Sequence, residues 1–282
     1  GSGYFSFRMA PRVGTKGKIL AVDIQPEMLA IINQEDAKAV AAVQSVLPNI
    51  AAGVDRIADA FRSGGRLVYI GAGTSGRLGV LDASECLPTF GVSPEMVFGI
   101  IAGGERALTR AIEGAEDDAA AGVQAIRDAD IQSVDVVVGI SASGGAPFVR
   151  AALAEAKRRG ATTVGIANSQ NAPLCADADI PIEAVVGPEV LQGSTRMKSG
   201  TAQKLILNML STGAMVRIGK TYGNRMVDVQ CSNAKLVKRA QRLVADIGQV
   251  SDPPAAQTFL DAAGGSVKTA IVMARRGVDK SA

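Results

Sequence analysis

The sequence predicts an α/β protein, a three-layer αβα sandwich on a parallel sheet, with a small helical appendage at its C-terminal end. Three observations carry this expectation. Short β-branched runs of strand length recur through the first two-thirds of the chain. Helical stretches of about ten to fifteen residues separate them, the signature of βαβ units. Past residue 186 the strand-like runs stop, and the C-terminal region 226–282 shows only helical spacing.

Residues 26–63 read as helical, because Leu29, Ile32, Val40, Val43, Ile50, Val54, Ile57 and Phe61 recur at helical intervals. Ser63-Gly64-Gly65 ends this stretch, and the apolar run Arg66–Ile70 has the look of a buried strand. Further strands are expected at 96–101, 134–140, 162–167 and 180–186, with helical stretches around 105–128, 147–159 and 197–218. Usual handedness and layer packing turn that order into a three-layer sandwich. Helical segments near 232–248, 255–263 and 266–276 follow, with Pro253-Pro254 as a break. The expected organisation is a divergent segment 1–25, an α/β unit 26–225 and a helical region 226–282.

Composition removes whole classes of chemistry. The 282 residues include no histidine, which excludes Ser-His-Asp and Cys-His nucleophiles, imidazole acid–base catalysis and histidine-ligated metals. Chemistry must run on carboxylates, lysines, hydroxyls, thiols or backbone groups. Aromatics at 4% and a net charge of +3 argue against a nucleic-acid binder. Cys86, Cys175 and Cys231 form no CxxC pair, so a cytoplasmic setting is expected. No apolar run reaches the ~18 residues of a membrane helix, so no membrane partner is expected. Glycine, 32 residues or about 11% against a usual ~7%, points to tight turns and close backbone approaches.

Two such places stand out. Gly71-Ala72-Gly73-Thr74-Ser75-Gly76-Arg77 follows a predicted strand and opens a helix. There, backbone N–H groups and the helix dipole favour an anion. The loop lacks a Walker ending, and its hydroxyl pair suits a phosphomonoester; a plain tight turn is the alternative. Ser141-Ala142-Ser143-Gly144-Gly145-Ala146-Pro147 repeats the arrangement after the strand at 134–140. Ligands of open α/β sheets bind at the carboxyl ends of strands, so the two loops are expected to grip one phosphorylated ligand. The candidate contacts are Gly73, Thr74, Ser75, Gly76, Ser141, Ser143 and Gly144. A third polar cluster, Gln192–Thr201, adds Ser194, Thr195 and Lys198, with Ser194 or Thr195 as cap of the following helix.

With histidine absent, acids among small apolar neighbours become the acid–base candidates. Glu85 is expected just beyond the first loop's helix, and Glu116 within a helical stretch; burial would raise a carboxyl pKa toward useful values. Glu113, Asp117 and Asp118 read as a solvated face, as do Lys204, Arg217 and Lys220, and Cys86 reads as a small buried hydrophobe.

Arg66–Gly79 with Leu81–Cys86 resembles the phosphosugar site of the sugar isomerase (SIS) fold, and more narrowly the N-acetylmuramic acid 6-phosphate etherase family. The resemblance runs through Ile101–Gly104, Glu113–Asp117, Val186–Glu189, Gly193–Lys204 and Val267–Met273, about residues 28–279 in all. It implies a cytoplasmic, cofactor-free and metal-free homodimer that acts in cell-wall amino sugar recycling. Such a lyase takes N-acetylmuramic acid 6-phosphate, a phosphorylated amino sugar, to N-acetylglucosamine 6-phosphate and D-lactate. It also implies that Glu85 and Glu116 are the catalytic pair, with Glu85 as proton donor. Two places depart from the family pattern: Gly145-Ala146 stands where a polar Arg-Thr pair is usual, and residues 1–25 lack the usual Thr-Glu-x-Arg-Asn opening. A non-catalytic phosphosugar sensor and a phosphosugar isomerase of the same fold are the alternatives.

Overall fold

The structure, a computed structural model, describes residues 26–229 and 234–280. The expected N-terminal departure at 1–25 and Cys231 lie outside the described residues.

Five parallel strands, β1 (Leu67–Gly71), β2 (Val97–Ile101), β3 (Val136–Ile140), β4 (Thr162–Ala167) and β5 (Ile180–Glu183), form one sheet in the order β2-β1-β3-β4-β5. Leu67 pairs with Val97 on one side and Val136 on the other, which makes β1 central and explains why all its residues are buried. Strand alternation then feeds two cores. Leu67, Tyr69, Val136 and Val138 face one layer, formed by α1 (Pro26–Ser45), α2 (Leu47–Arg62), α3 (Gly73–Phe90) and α7 (Lys198–Arg217). Val68, Ile70 and Val137 face the other, where α4 (Ala119–Asp128), α5 (Pro147–Arg158) and the short α6 (Pro173–Asp177) pack. The three-layer sandwich is therefore as expected.

Several boundaries differ from expectation. The helical stretch 26–63 is two helices bent by 63°, broken at Val46 where Pro48 starts α2 without an N–H to donate. Only the last part of 105–128 is α-helix. Gly103, Gly104 and Gly114 take positive φ, so the chain makes two 3₁₀ turns (Glu105–Leu108 and Ala115–Asp117) before α4. Asp118 then caps α4, accepting from the N–H of Ala121 at 2.9 Å. A small hairpin, β6 (Thr221–Tyr222) with β7 (Arg225–Met226), turns at Gly223-Asn224 and was not anticipated.

The C-terminal helices α8 (Ala234–Gly248), α9 (Pro253–Ala262) and α10 (Val267–Arg276) enclose their own core of Ala240, Val244, Leu260, Ala270 and neighbours. Asp252 and Ser266 cap α9 and α10. Asp228 ties this bundle to the hairpin segment through Lys220 (3.1 Å) and Lys268 (3.3 Å). Among the described residues no single helix is long and apolar enough to cross a membrane.

Candidate active site

Strand order reverses direction between β1 and β3, and a sheet of order 2-1-3-4-5 takes its ligand in the crevice at that switch. A cleft of about 440 Å³ lies there. Its walls are Ala72–Ser75 after β1, Ile140–Ala142 with Ser143 and Gly145–Pro147 after β3, Glu116 and Asp117, and Thr195. A larger hollow of about 690 Å³ opens at the other end of the strands, beside Asp55, Arg56, Lys157 and Asp179. There Lys157 and Asp179 pair at 2.8 Å, Asp55 pairs with Arg217, and α5 ends rather than begins. The helix starts, with their free N–H groups, belong to the smaller cleft.

Two close approaches shape the first loop. A Cβ on Gly76 would sit 2.6 Å from the Gly71 carbonyl oxygen and one on Gly71 would sit 2.7 Å from the Gly76 nitrogen. Only glycine lets α3 begin so tightly against β1, and this aims its first N–H groups into the cleft. The start of α5 faces the same space. In the second loop Gly144 has φ +70° and its Cβ would meet the Ala172 Cβ at 2.5 Å. Gly76 and Gly144 thus build the loops and do not line the cleft.

Of the expected contacts, Gly73, Thr74, Ser75, Ser141, Ser143 and Thr195 line the cleft, and Ser194 does not. Lys198 is buried elsewhere: its Nζ donates to Glu35 Oε2 at 2.6 Å, pinning α1 to α7. The Lys198 and Lys38 ammonium groups hold the Glu35 carboxyl below its usual range. Neither Ser194 nor Thr195 caps α7. Glu189 does, accepting from the N–H groups of Lys198 (3.2 Å) and Ser199 (3.0 Å) and from the Ser199 hydroxyl. Its negative charge suits a helix N-terminus.

The acids also differ from expectation. Glu116 and Asp117 stand on the cleft wall because the positive φ of Gly114 turns the chain there; Asp117 is no helix-face residue. Glu85 lies inside α3, not beyond it, and both Glu85 and Glu116 are exposed in the protomer rather than partly buried. Ten residues separate Ser75 from Glu85, about 15 Å of helix at 1.5 Å per residue. Within one protomer the cleft holds Glu116 without Glu85. One turn from Glu85, Asp82 is buried, accepting from the Tyr69 hydroxyl at 2.9 Å and pairing with Lys204 at 3.0 Å. Lys204 is therefore not a solvated charge. Burial, helped by the Asp82 charge, pushes the Tyr69 hydroxyl well above its ordinary range and the Cys86 thiol up to about 12.

Sequence reasoning missed a buried polar chain behind the cleft. The Ser75 hydroxyl donates to Gln203 Oε1 (2.9 Å), Gln203 Nε2 donates to Asn168 Oδ1 (2.9 Å), and Asn168 Nδ2 donates to the Ala184 carbonyl (3.2 Å). Gln203, on α7, stands 128 residues from Ser75, so no local signal marked the pair. Among the described residues no cationic side chain lines the cleft; what faces an anion there is a set of helix starts, hydroxyls and backbone N–H groups. Among the described residues no group of three carboxylates, cysteines or histidines could hold a metal.

Comparison with known proteins agrees with this geometry. The SIS domain model matches residues 119–212, and the model of the glucokinase regulatory protein N-terminal SIS domain matches residues 49–157. An N-acetylmuramic acid 6-phosphate etherase of Glaesserella parasuis is 58% identical over 254 residues, 90% of this chain and 83% of that protein. The etherase of Aeromonas hydrophila is 56% identical, over 89% of this chain and 84% of that protein. Etherase 2 of Lactiplantibacillus plantarum is 53% identical over 94% and 90%. Among solved structures, a phosphoheptose isomerase from Neisseria gonorrhoeae superposes with a TM-score of 0.52 at 16% identity, covering 67% of this chain and 97% of that one. That last likeness bears on the fold alone.

Proposed function

The chain belongs to the N-acetylmuramic acid 6-phosphate etherase family, and from that premise we propose that it is a carbon–oxygen lyase. It cleaves the D-lactyl ether of N-acetylmuramic acid 6-phosphate, giving N-acetylglucosamine 6-phosphate and D-lactate, in the recycling of cell-wall amino sugars. The observation that supports this reading best is a glutamate, Glu116, on the wall of a cleft into which two helix N-termini point.

The chemistry follows from that arrangement. The ring opens to its aldehyde, which acidifies the C2 hydrogen. Glu116 takes the C2 proton, the C3–O bond breaks, and lactate leaves as its ether oxygen gains a proton from Glu85. Water then adds across the new C2=C3 bond: its hydroxyl bonds to C3 as Glu85 takes the released proton, and Glu116 returns its proton to C2, so both carboxyl groups are restored. Each carboxyl must stand within hydrogen-bond reach of the proton it moves. The phosphate sits on the N–H groups that open α3 and α5, with the hydroxyls of Thr74, Ser141, Ser143 and Thr195.

Glu85 cannot reach the cleft of its own protomer across about 15 Å of helix, so a second copy supplies it. Leu81, one turn before Glu85 on the same stripe, leaves 45% of its surface exposed, as a contact face would. The working unit is then a homodimer whose two clefts each draw Glu116 from one protomer and Glu85 from its partner. Two reduced, buried thiols, Cys86 and Cys175, suit the cytoplasm. The α/β unit comprises residues 26–225 and the helical region 226–282. D-lactate release from N-acetylmuramic acid 6-phosphate tests the activity: steady production is expected, and tight hexose-phosphate binding without lactate would make the protein a sensor instead.

A further inference from the structure

The five hydroxyls of the cleft are not alike. Among the described residues, the hydroxyl protons of Thr74, Ser141, Ser143 and Thr195 have no acceptor within the protomer, so each is free for a ligand oxygen. Ser143 Oγ accepts from the Gly145 N–H at 3.2 Å, which leaves its own proton to give. Ser75 is different, because its proton is committed to Gln203 at the head of the buried chain.

The direction of that chain is fixed from its far end. The Ala184 carbonyl can only accept, so Asn168 must present its NH₂ there and its oxygen toward Gln203. Gln203 must then present its NH₂ to Asn168 and its oxygen to Ser75. Reversing any amide would set oxygen against oxygen among groups that are 7% exposed or less (Ser75 7%, Asn168 5%, Gln203 1%). Turning the Ser75 proton to a ligand would leave the buried Gln203 oxygen unpaired, which is the costly way to lose a hydrogen bond.

We propose that Ser75 Oγ serves the ligand as an acceptor, reading a hydroxyl or amide N–H of the sugar, and that Gln203 and Asn168 are the positioning residues that impose this role. The phosphate takes the backbone N–H groups of Gly73–Ser75 and the four free hydroxyls. This deepens the proposed function and rests on it for the identity of the sugar. It departs from the sequence expectation, which put the Ser75 hydroxyl on the phosphate.

The test is titration calorimetry with two probes, inorganic phosphate and N-acetylglucosamine 6-phosphate, the former also run as a competitor of the latter. Ser75→Ala keeps the backbone N–H and removes the acceptor, together with the proton given to Gln203, which no ligand touches. It should weaken N-acetylglucosamine 6-phosphate about tenfold and move inorganic phosphate by less than about twofold. Equal losses for both probes would mean that Ser75 donates to phosphate and would overturn the proposal. Gln203→Met frees the Ser75 proton, so the ratio of the two affinities should shrink toward that of Ser75→Ala; an unchanged ratio in a folded variant would remove Gln203 from its positioning role. Should Gln203→Met fail to fold, the Ser75→Ala comparison decides alone. Lactate release by the unaltered protein is measured alongside. Lactate with equal losses sinks this proposal only, whereas selective loss without lactate supports it and sinks the etherase reading.

Discussion

The proposed separation of the two glutamates between protomers has a consequence that arithmetic can check. Glu85→Gln and Glu116→Gln, purified apart, should each lose about 10²–10⁴-fold in D-lactate release, the usual contribution of a positioned acid or base. Mixed and allowed to exchange subunits, half of the dimers contain one copy of each. In such a dimer one cleft combines an intact Glu116 with the partner's intact Glu85, and the other cleft combines both substituted residues. Half the dimers with one good cleft in two should restore about one quarter of full activity. The premise comes from the helix: about 15 Å between Ser75 and Glu85 keeps Glu85 off the cleft of its own protomer. Lactate is measured in a coupled assay and mixed dimers are counted by native mass spectrometry. Mixed dimers in the expected amount with no recovery would refute the reasoning and return Glu85 to its own protomer.

Other expectations concern the frame around the cleft. Glu35→Ala should destabilise the protein by about 3 kcal/mol, because it strands the buried Lys198 ammonium, whereas Lys198→Met should cost clearly less; thermal melts rank the two. Glu35 is held below its usual range when folded, so its contribution is present above the ordinary carboxylate pKa and is lost as pH falls through the lowered value. The melting difference between native protein and Glu35→Gln should accordingly narrow on acidification, and a constant difference would contradict that. Cys86 and Cys175, with thiols raised to about 12 and about 11 by burial, should resist iodoacetamide at pH 8 until the protein unfolds, as peptide mass mapping would report. Gly144→Ala should lower both stability and ligand affinity, since its Cβ would strike Ala172, while Gly145→Ala, with only Ser143 Oγ near at 3.5 Å, should fold normally.

The strands were legible because buried parallel strands are written as unbroken apolar runs, and β1 and β3 carry them plainly. The two glycine loops were legible for a related reason: tight strand-to-helix turns demand residues that no other context favours. The break at Val46 and the two 3₁₀ turns were hidden because Pro48 and Gly114 act over one or two residues while periodicity averages over many. The Gly223-Asn224 hairpin had a turn signal but strands of only two residues, too short to alternate visibly. Within the site, the motif around Lys198 is genuine in the sequence, yet its amine points to a helix 163 residues away, and charge type alone does not tell a ligand contact from a structural tie. Gln203 as a positioning residue was invisible because its partner Ser75 is distant in sequence, and Glu189 caps from nine and ten residues upstream, beyond the spacing of a local capping motif.

The Ala184 carbonyl, where the polar chain behind the cleft ends, belongs to the main chain and not to a side chain. Side-chain donors and acceptors can drift: a single codon change at Asn168 or Gln203 erases one. A peptide oxygen at the end of β5 survives substitution at its own position so long as the strand keeps its register. The polarity read out at Ser75 thus takes its direction from main-chain geometry, with Asn168 and Gln203 as the two side chains that relay it. Mutational libraries should find position 184 permissive in type but intolerant of anything that shifts β5.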